Sequence, residues 1–268
     1  MSYRRKHITP KIRRLKNKKI FFKRPSFLIP LFIVIIAVIL YFALFSNEFQ
    51  VQKIQVSGNE KIQSPDIETI AWDYIQKDIF TAGIFTISSK SIFIADTKNV
   101  IKNILHKFPD IEDIKIQKKF FNDIHITVKE RRNFATLCQN TECFLLDNNG
   151  VVFQKLQHIP ENMIIIKKTG TTEISLGNTV IDKNTIAIIL EVENNLKNNF
   201  QIGIKEVAFL NPLIFKTSEN WHIYLDPNND IEGQIAKMNA LLKDEITVNT
   251  RKNIEYIYLQ YKDRAYYK

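Results

Sequence analysis

The sequence has few of the residues from which compact catalytic and cofactor sites are built: 7 glycines, 2 cysteines and 5 histidines in 268 residues. Among so few glycines there is no phosphate-binding loop, dinucleotide fingerprint or nucleophile elbow. No histidine has a metal-ligand spacing to another histidine or to a cysteine. The sequence therefore predicts no enzyme, no metal site and no cofactor. An exported hydrolase, with a site assembled from distant positions, stays an alternative.

Acidic residues are absent from the first 24 positions, which carry 11 of the 38 Lys and Arg residues. The rest of the chain holds 27 basic and 28 acidic residues, so the net charge of +10 comes from this short arm alone. A basic, nucleic-acid-binding domain is thereby excluded for residues 49–268, and no nucleic acid is expected as a partner. The arm is expected to lie on anionic lipid headgroups, where each Lys or Arg contributes about 1 kcal/mol.

Charged residues are also absent from Pro25 to Asn47, and the apolar core Phe27–Phe45 has 19 residues. As an α-helix this core is about 28 Å long, close to the hydrocarbon thickness of a bilayer. The positive-inside rule then keeps the basic arm in the cytoplasm and exports everything after about residue 47. The sequence thus predicts a single-pass type II membrane protein with a cytoplasmic tail (1–24) and a transmembrane helix (25–47).

Two other interpretations of the apolar segment fit less well. A cleaved signal peptide has a shorter apolar core and small residues before the cut, whereas this segment ends Ala43-Leu-Phe-Ser-Asn47 without an Ala-x-Ala site. A buried helix of a soluble protein does not carry a block of basic residues on one side. An uncleaved anchor is therefore predicted.

The two cysteines, Cys138 and Cys143, both lie in the exported part. The polar segment Gln139–Glu142 between them is turn-like, and apolar strand-like residues flank the pair. This pattern predicts a hairpin with one cysteine on each strand, in which a disulfide is geometrically plausible and allowed by the compartment. Two free thiols remain the alternative.

The first exported segment alternates strand and helix patterns. Val51–Val56 alternates as a strand does, and Ser64-Pro65-Asp66 begins a helix. Asp96-Thr97 begins a second helix, which Pro109 ends. Two strands then follow with these inward-facing residues: Ile114, Ile116, Ile124, Ile126 and Val128. The predicted order is β-α-α-β-β, a small sheet covered on one side by helices.

The second exported segment, from about residue 132, is rich in strand patterns. Two helical stretches interrupt them, Thr185–Phe200 and Ile231–Leu242. The predicted strands are Phe134–Leu137, Cys143–Leu146, Val151–Gln154, Met163–Ile166, Lys205–Leu210, Leu213–Phe215, Trp221–Leu225 and, last, Ile254–Tyr261. The fold class is therefore α+β: a transmembrane helix, a small β-α-α-β-β domain, then a β-rich sheet domain with flanking helices.

Five motifs along the exported part are Ile54–Asn59, Phe108–Ile111, Ile124–Arg131, Leu146–Phe153 and Ile254–Lys268. In this order and spacing they resemble the FtsQ/DivIB family of bacterial cell-division proteins. The resemblance implies a POTRA domain at 49–131 and an FtsQ/DivIB-like β domain at 132–268. The segment Thr81–Ile94 is longer and more apolar than the family pattern.

The resemblance also implies a function. It points to a non-catalytic single-pass scaffold of the divisome, the bacterial division machinery, which links early and late division proteins during septum assembly. FtsQ-like proteins use the end of the second domain to bind the small division proteins FtsB and FtsL. The alternative is a POTRA-bearing chaperone or secretion component that binds extended peptides.

The last predicted strand offers a place for such binding. Both of its faces carry apolar or aromatic residues, so a partner strand could add to it if it lies at a sheet edge. The alternative is that helices of the same domain cover both faces. Carried over from the family, the candidate partner-binding residues are Tyr256, Tyr258, Gln260 and Tyr261.

Overall fold

The computed structural model describes residues 25–119, 122–170 and 173–268, so the predicted basic tail, residues 1–24, lies outside the described residues. The chain begins there with the apolar helix α1, Pro25–Phe45. Its side chains from Leu28 to Phe42 are exposed, so no part of the described protein packs over them. Among the described helices, α1 is the one long and apolar enough to cross a membrane.

The C-terminal end of α1 is fastened to the residues that follow it in the fold. Ser91 donates its hydroxyl hydrogen bond to the carbonyl oxygen of Ala43 at 2.7 Å. Ser89 and the Gln50 amide both donate to the carbonyl oxygen of Leu44, each at 2.5 Å. These carbonyls have no partner inside the helix, so the side chains satisfy acceptors that the helix end leaves free. The span is thus joined by hydrogen bonds, and not by the chain alone, to the first folded unit.

The first folded unit, here the N-terminal unit, has a three-stranded sheet in the order β1-β5-β4 with β1 parallel to β5. A separate two-stranded hairpin, β2–β3, stands apart from this sheet. The elements of the unit are β1 Lys53–Ser57, α2 Ser64–Ile75, β2 Lys77–Ala82, β3 Phe85–Ser89, α3 Thr97–Lys107, β4 Ile111–Lys119 and β5 Asp123–Glu130.

Local signals in the sequence place the two helices of this unit. Pro65 stands in the first turn of α2, and the Asp96 carboxylate accepts from the backbone N–H of Asn99 at the start of α3. Apolar residues at helical spacing face the sheet, among them Ile67 and Ile104, which are fully buried. The α+β fold is therefore confirmed.

The predicted order β-α-α-β-β lacked one element, the hairpin β2–β3 between the helices. Its two-residue turn begins at Gly83, whose φ of +58° favours glycine. The apolar residues of the insert Thr81–Ile94 stand in short runs, so periodicity alone did not distinguish a strand pair from a loop. The unit is built as β-α-β-β-α-β-β.

The second folded unit, here the C-terminal unit, contains one mixed sheet of nine strands in the order β14-β13-β12-β11-β10-β9-β6-β7-β8. Its elements are β6 Ala135–Gln139, β7 Glu142–Leu146, β8 Val152–Leu156, β9 Ile164–Lys168, α4 Lys183–Phe200, β10 Ile204–Phe209, β11 Leu213–Thr217, β12 His222–Leu225, α5 Ile231–Ala240, β13 Tyr256–Tyr258 and β14 Tyr266–Tyr267. A π-helical turn, Leu241–Glu245, extends α5.

Both helices of the C-terminal unit pack on one face of this sheet. Asp182 and Asp230 cap their first turns by accepting backbone N–H groups. The core between helices and sheet includes Val192 and Met238 from the helices and Trp221 from the sheet side, all fully buried. The opposite sheet face is only half-buried along β12 and β13.

The prediction of Ile254–Tyr261 as the last strand is wrong in the extent of the strand, and a further strand follows it. The strand β13 covers only Tyr256–Tyr258, and the chain then turns and returns as β14 at the sheet edge. Lys262-Asp263-Arg264 is the polar turn between two tyrosine-rich segments. This turn connects the two strands of a hairpin, whereas the sequence pattern predicted one longer aromatic strand.

The two cysteines face each other across the β6–β7 hairpin and form a disulfide. Cys138 and Cys143 are directly paired in the strand register, with 4.2 Å between their Cα atoms. The hairpin turn contains Asn140 in a left-handed conformation with φ of 54°. The bond therefore closes a short loop at one end of the sheet.

Arg131 joins the two units. Its guanidinium pairs with the Asp147 carboxylate at 2.5 Å, and the two side chains are only 13% and 4% exposed. The same guanidinium donates to the carbonyl oxygen of Pro109 at 3.0 Å. Asp147 also accepts from the backbone N–H groups of Asn149 and Val151. One arginine thus fixes the end of the N-terminal unit against the turn between β7 and β8 of the C-terminal unit.

We expect Arg131→Gln to lower the free energy of unfolding by about 3 kcal/mol, because it leaves the buried Asp147 charge without its counter-ion. The measurement is chemical denaturation of the full chain in detergent. Arg132→Gln is the matched control, since Arg132 is adjacent and exposed. Equal stability of the two variants would contradict the role given to Arg131.

We expect the double variant Cys138→Ala, Cys143→Ala to lose about 2 kcal/mol of unfolding free energy, since a disulfide across a short loop restricts the unfolded chain only modestly. A reducing agent should lower the stability of the natural chain by the same amount and leave the variant unchanged. A reductant effect of equal size on both proteins would argue against the bond.

Candidate partner-binding site

The strand β14 is one of the two edges of the nine-stranded sheet. Lys268 exchanges hydrogen bonds with Tyr256 of β13, N–H to O at 3.2 Å and O to N–H at 3.4 Å. Backbone groups alternate in direction along an antiparallel strand. The N–H and C=O of Tyr267 therefore point away from β13, toward any strand that adds to the edge.

A group of tyrosines, here the tyrosine row, crosses the last three strands on the half-buried sheet face. In the register Tyr224 of β12 lies beside Tyr258 of β13, which lies beside Tyr266 of β14. The rings of Tyr224 and Tyr258 have centroids 4.4 Å apart, and those of Tyr256 and Tyr258 4.7 Å. Tyrosines combine a large apolar ring with a hydroxyl that can bond to a partner, which makes such a row suited to protein contacts.

The pKa values of two tyrosines near the sheet edge, Tyr258 and Tyr267, are raised. Burial, together with the neighbouring Tyr224 and Tyr256 hydroxyls, raises the pKa of Tyr258 above its ordinary value. A hydrogen bond to the Glu245 carboxylate, 3.1 Å away, raises the pKa of Tyr267. Both phenols therefore stay protonated at physiological pH and keep their hydrogen-bond donors.

The structure places the four sequence-predicted residues close together but in different settings. Tyr256 and Tyr258 belong to the tyrosine row and are half-buried. Gln260 lies in the turn after β13 and is half-buried, and Tyr261 is exposed there with its ring 5.2 Å from that of Tyr266. Within the last predicted strand, Ile257 and Leu259 are fully buried in the core, whereas Tyr261 is exposed and lies outside β13.

Sequence reasoning missed two members of the row, Tyr224 and Tyr266. The alternation in His222-Ile-Tyr-Leu225 carried a signal for Tyr224, because it places the tyrosine opposite the buried Ile223 and Leu225. The polar turn before Tyr266 was a signal for a second strand.

Lys237 of α5 holds the turn that connects β13 to β14. Its ammonium group donates to the carbonyl oxygens of Leu259, at 2.9 Å, and of Tyr261. A concave surface around this group is lined by Asp230, Gln260 and Asp263 among others. Because the Lys237 ammonium bonds to carbonyls of this turn, it fixes the position from which the edge strand β14 starts.

No group of three or more His, Cys, Asp or Glu residues in the described ranges could hold a metal ion. The acidic residues with lowered pKa values there accept hydrogen bonds from backbone N–H groups and so stabilise the fold. Glu130, for example, accepts the backbone N–H groups of Glu60, Lys61 and Ile62; burial alone would raise its pKa, but these bonds lower it. The features of this region that suit binding are thus the sheet edge and the tyrosine row.

Comparison with known proteins shows which family the chain resembles. A family model described as POTRA domain, FtsQ-type, matches residues 49–131. The Cell division protein DivIB of Clostridium botulinum strain Hall is 27% identical over 240 residues, which cover 87% of this chain and 87% of that protein. The DivIB of Clostridium tetani is 25% identical over 207 residues, 74% of this chain and 72% of that protein. The chain thus contains a POTRA domain of the FtsQ type and is similar over most of its length to DivIB proteins. These relatives indicate a cell-division protein, and α1 fits the transmembrane helix of a single-pass membrane protein.

We expect Lys237→Met to loosen the edge strand. The carbonyls of Leu259, Tyr261 and Lys262 lose a charged donor at a partly exposed site, which should cost about 1 kcal/mol. Amide hydrogen exchange over residues 259–268 should then be several-fold faster, with the core strands unchanged. Lys243→Met, on the exposed surface of the π-helical turn, is the control, and identical exchange in both variants would refute the anchoring role.

Proposed function

We propose that this protein is a non-catalytic, single-pass scaffold of the divisome that links early and late division proteins by protein–protein contacts. The single observation that carries the proposal is the edge strand β14 beside the tyrosine row. This arrangement suits a strand-shaped partner and offers no grouped chemistry for turnover. The relatives named Cell division protein DivIB support a role in cell division, and we assign the contact to septum assembly.

We further propose the topology and its division into parts. The 11 basic residues before α1 favour a cytoplasmic N-terminus and extracytoplasmic folded units, with the basic tail on anionic headgroups. The tail is assigned to 1–24, the span to 25–47, the POTRA domain to 49–131 and the β domain to 132–268. Two separate hydrophobic cores support the last division.

The proposed partners are FtsB/FtsL-like division proteins, and the proposed mode of binding is strand addition to β14. The outward N–H and C=O of Tyr267 would pair with the partner backbone. Tyr258, Tyr261 and Tyr266 would pack against partner side chains, with Tyr256 and Gln260 at the border of the contact. Main-chain pairing supplies affinity in such complexes, and the side-chain contacts supply specificity.

The alternative function, a POTRA-bearing chaperone or secretion component for extended peptides, has weaker support. The matching domain is of the FtsQ type, and the relatives are division proteins over most of their length. The aromatic residues beside a sheet edge that we assign to partner binding also lie in the C-terminal unit and not in the POTRA sheet.

The deciding experiment is a quantitative co-purification of the full chain in detergent with tagged FtsB- and FtsL-like proteins. Deleting residues 254–268 is too coarse, because Ile257 and Leu259 belong to the core. Tyr267→Pro removes an outward N–H and, with the side chain, the hydrogen bond to Glu245, but it keeps the pairing of Lys268 with Tyr256. We expect this variant to lose about tenfold or more in partner recovery, as expected for an interface hot spot.

Two controls keep the result interpretable. Tyr74→Ser removes an exposed tyrosine of the N-terminal unit and should leave recovery unchanged. Thermal unfolding should show that Tyr267→Pro remains folded. Undiminished binding by a folded Tyr267→Pro would place the partner site elsewhere, and broad binding to unrelated extended peptides would favour the chaperone alternative.

A further inference from the structure

The hairpin β2–β3 exposes more apolar side chain than a free surface loop normally does. From Ile79 to Ser89 it has no charged residue. Phe80 is 58% exposed, Phe85 73% and Ile84, at the turn, 93%. These side chains are neighbours on one short element, so they form a continuous apolar surface and not scattered exposed residues.

The strand register makes the hairpin amphipathic. Phe80 pairs with Ile87, and Ala82 pairs with Phe85 two residues further along. Because alternate residues share a face, these four apolar residues lie on one side. Thr81 pairs with Thr86 on the other side. The apolar side is here called the apolar face.

A two-stranded hairpin of this kind is marginally stable in water and needs a third surface to cover its apolar face. The hairpin is a sheet of its own, separate from β1-β5-β4. All six residues of β2 are exposed, so the described part of the chain does not supply that cover. The cover must come from outside.

The base of the hairpin lies at the end of the membrane-spanning helix. Ser89, the last residue of β3, donates to the carbonyl oxygen of Leu44 in the final turn of α1. Ser91, two residues on, donates to that of Ala43. These bonds hold the hairpin base at the depth where α1 leaves the hydrocarbon.

The residues around the base are typical of a membrane interface. Lys90 follows the uncharged segment, Lys77 and Asp78 precede it, and the Lys90 ammonium lies 5.3 Å from the Trp72 ring centroid. Phe93 is 60% exposed and contacts Phe49, just after the span, with 5.3 Å between ring centroids. Lysine, tryptophan and phenylalanine at this level place charges among headgroups and rings at the acyl boundary.

We propose that the apolar face of the β2–β3 hairpin lies in the lipid interface beside the outer end of α1, as a second, non-spanning membrane contact. The inference rests on the part of the proposed function in which α1 spans the bilayer, and it does not depend on the division partners. The contact restricts the tilt of the N-terminal unit relative to the membrane. The end of α1 and the hairpin are then both held at the membrane surface, so the unit can rotate only about the line that joins them.

The depth of the contact is limited by the hairpin backbone. The outer edges of β2 and β3 carry N–H and C=O groups without strand partners, and such groups cannot enter the hydrocarbon. The hairpin therefore lies in the headgroup and upper acyl region, with the threonine face toward water.

The test uses the full chain reconstituted alone in vesicles of phosphatidylcholine and phosphatidylglycerol. Single cysteines carry an environment-sensitive fluorophore, since Cys138 and Cys143 are bonded to each other and do not react. The probe positions are Ile84→Cys and Phe85→Cys in the hairpin, with Thr86→Cys as the opposite-face neighbour. Val34→Cys reports on the span, and Val248→Cys, an apolar residue 65% exposed elsewhere, is the matched control.

We expect blue-shifted emission from the Ile84 and Phe85 probes and roughly twofold quenching by lipids with a shallow nitroxide, as for an interfacial element. The Thr86 probe should be quenched less than the Phe85 probe, and the Val248 probe not at all. A Phe85 probe that behaves like the Val248 probe would overturn the proposal.

Two further outcomes would also overturn it, each for a different reason. Blue-shifted hairpin probes without lipid quenching would mean that a second copy of the chain covers the apolar face. A Val34 probe that is not quenched by lipids with a nitroxide deep in the acyl chain would mean that α1 does not span, so the proposed topology and the hairpin contact would fail together. Loss of partner binding in Tyr267→Pro is independent of all these readouts.

Discussion

The exposed apolar surface of α1 is the constraint on which the rest of the protein depends. This helix has 21 residues, no charge and no cover from the other described residues, and lipid around it is the environment that suits it. Ser89 and Ser91 donate hydrogen bonds to its final carbonyls, so the end of α1 is attached to the N-terminal unit. The ion pair between Arg131 and the buried Asp147 carboxylate attaches the N-terminal unit to the C-terminal unit. Membrane, first unit and second unit are thus connected by a few identifiable contacts.

Function follows from where this connected chain leaves unsatisfied surface. The nine-stranded sheet is covered by α4 and α5 on one face, which leaves the tyrosine row half-buried on the other and β14 at the edge. Backbone groups at such an edge bind a partner strand at little conformational cost. The hairpin β2–β3 presents apolar surface close to the membrane. Both surfaces suit binding, in keeping with the scaffold role that we propose.

Prediction from the sequence succeeded where one local signal decided the outcome. Pro65 and Asp96 mark helix starts, and the spacing of Cys138 and Cys143 indicates a hairpin. It failed where two elements share one composition. The aromatic segment from Ile254 to the end contains two antiparallel strands, and the apolar insert after α2 contains two more. Short apolar runs do not by themselves reveal where a chain reverses.

The apolar helix, the charge asymmetry and the two kinds of folded unit could be predicted without the structure, because they depend on composition and periodicity along neighbouring residues. Three other relations are visible only in the folded protein: Tyr224 and Tyr266 lie beside Tyr258, Tyr261 leaves the strand, and the hairpin base meets the end of α1. Such relations join residues far apart in the chain, and they are set by strand order and side-chain contacts that no local pattern encodes.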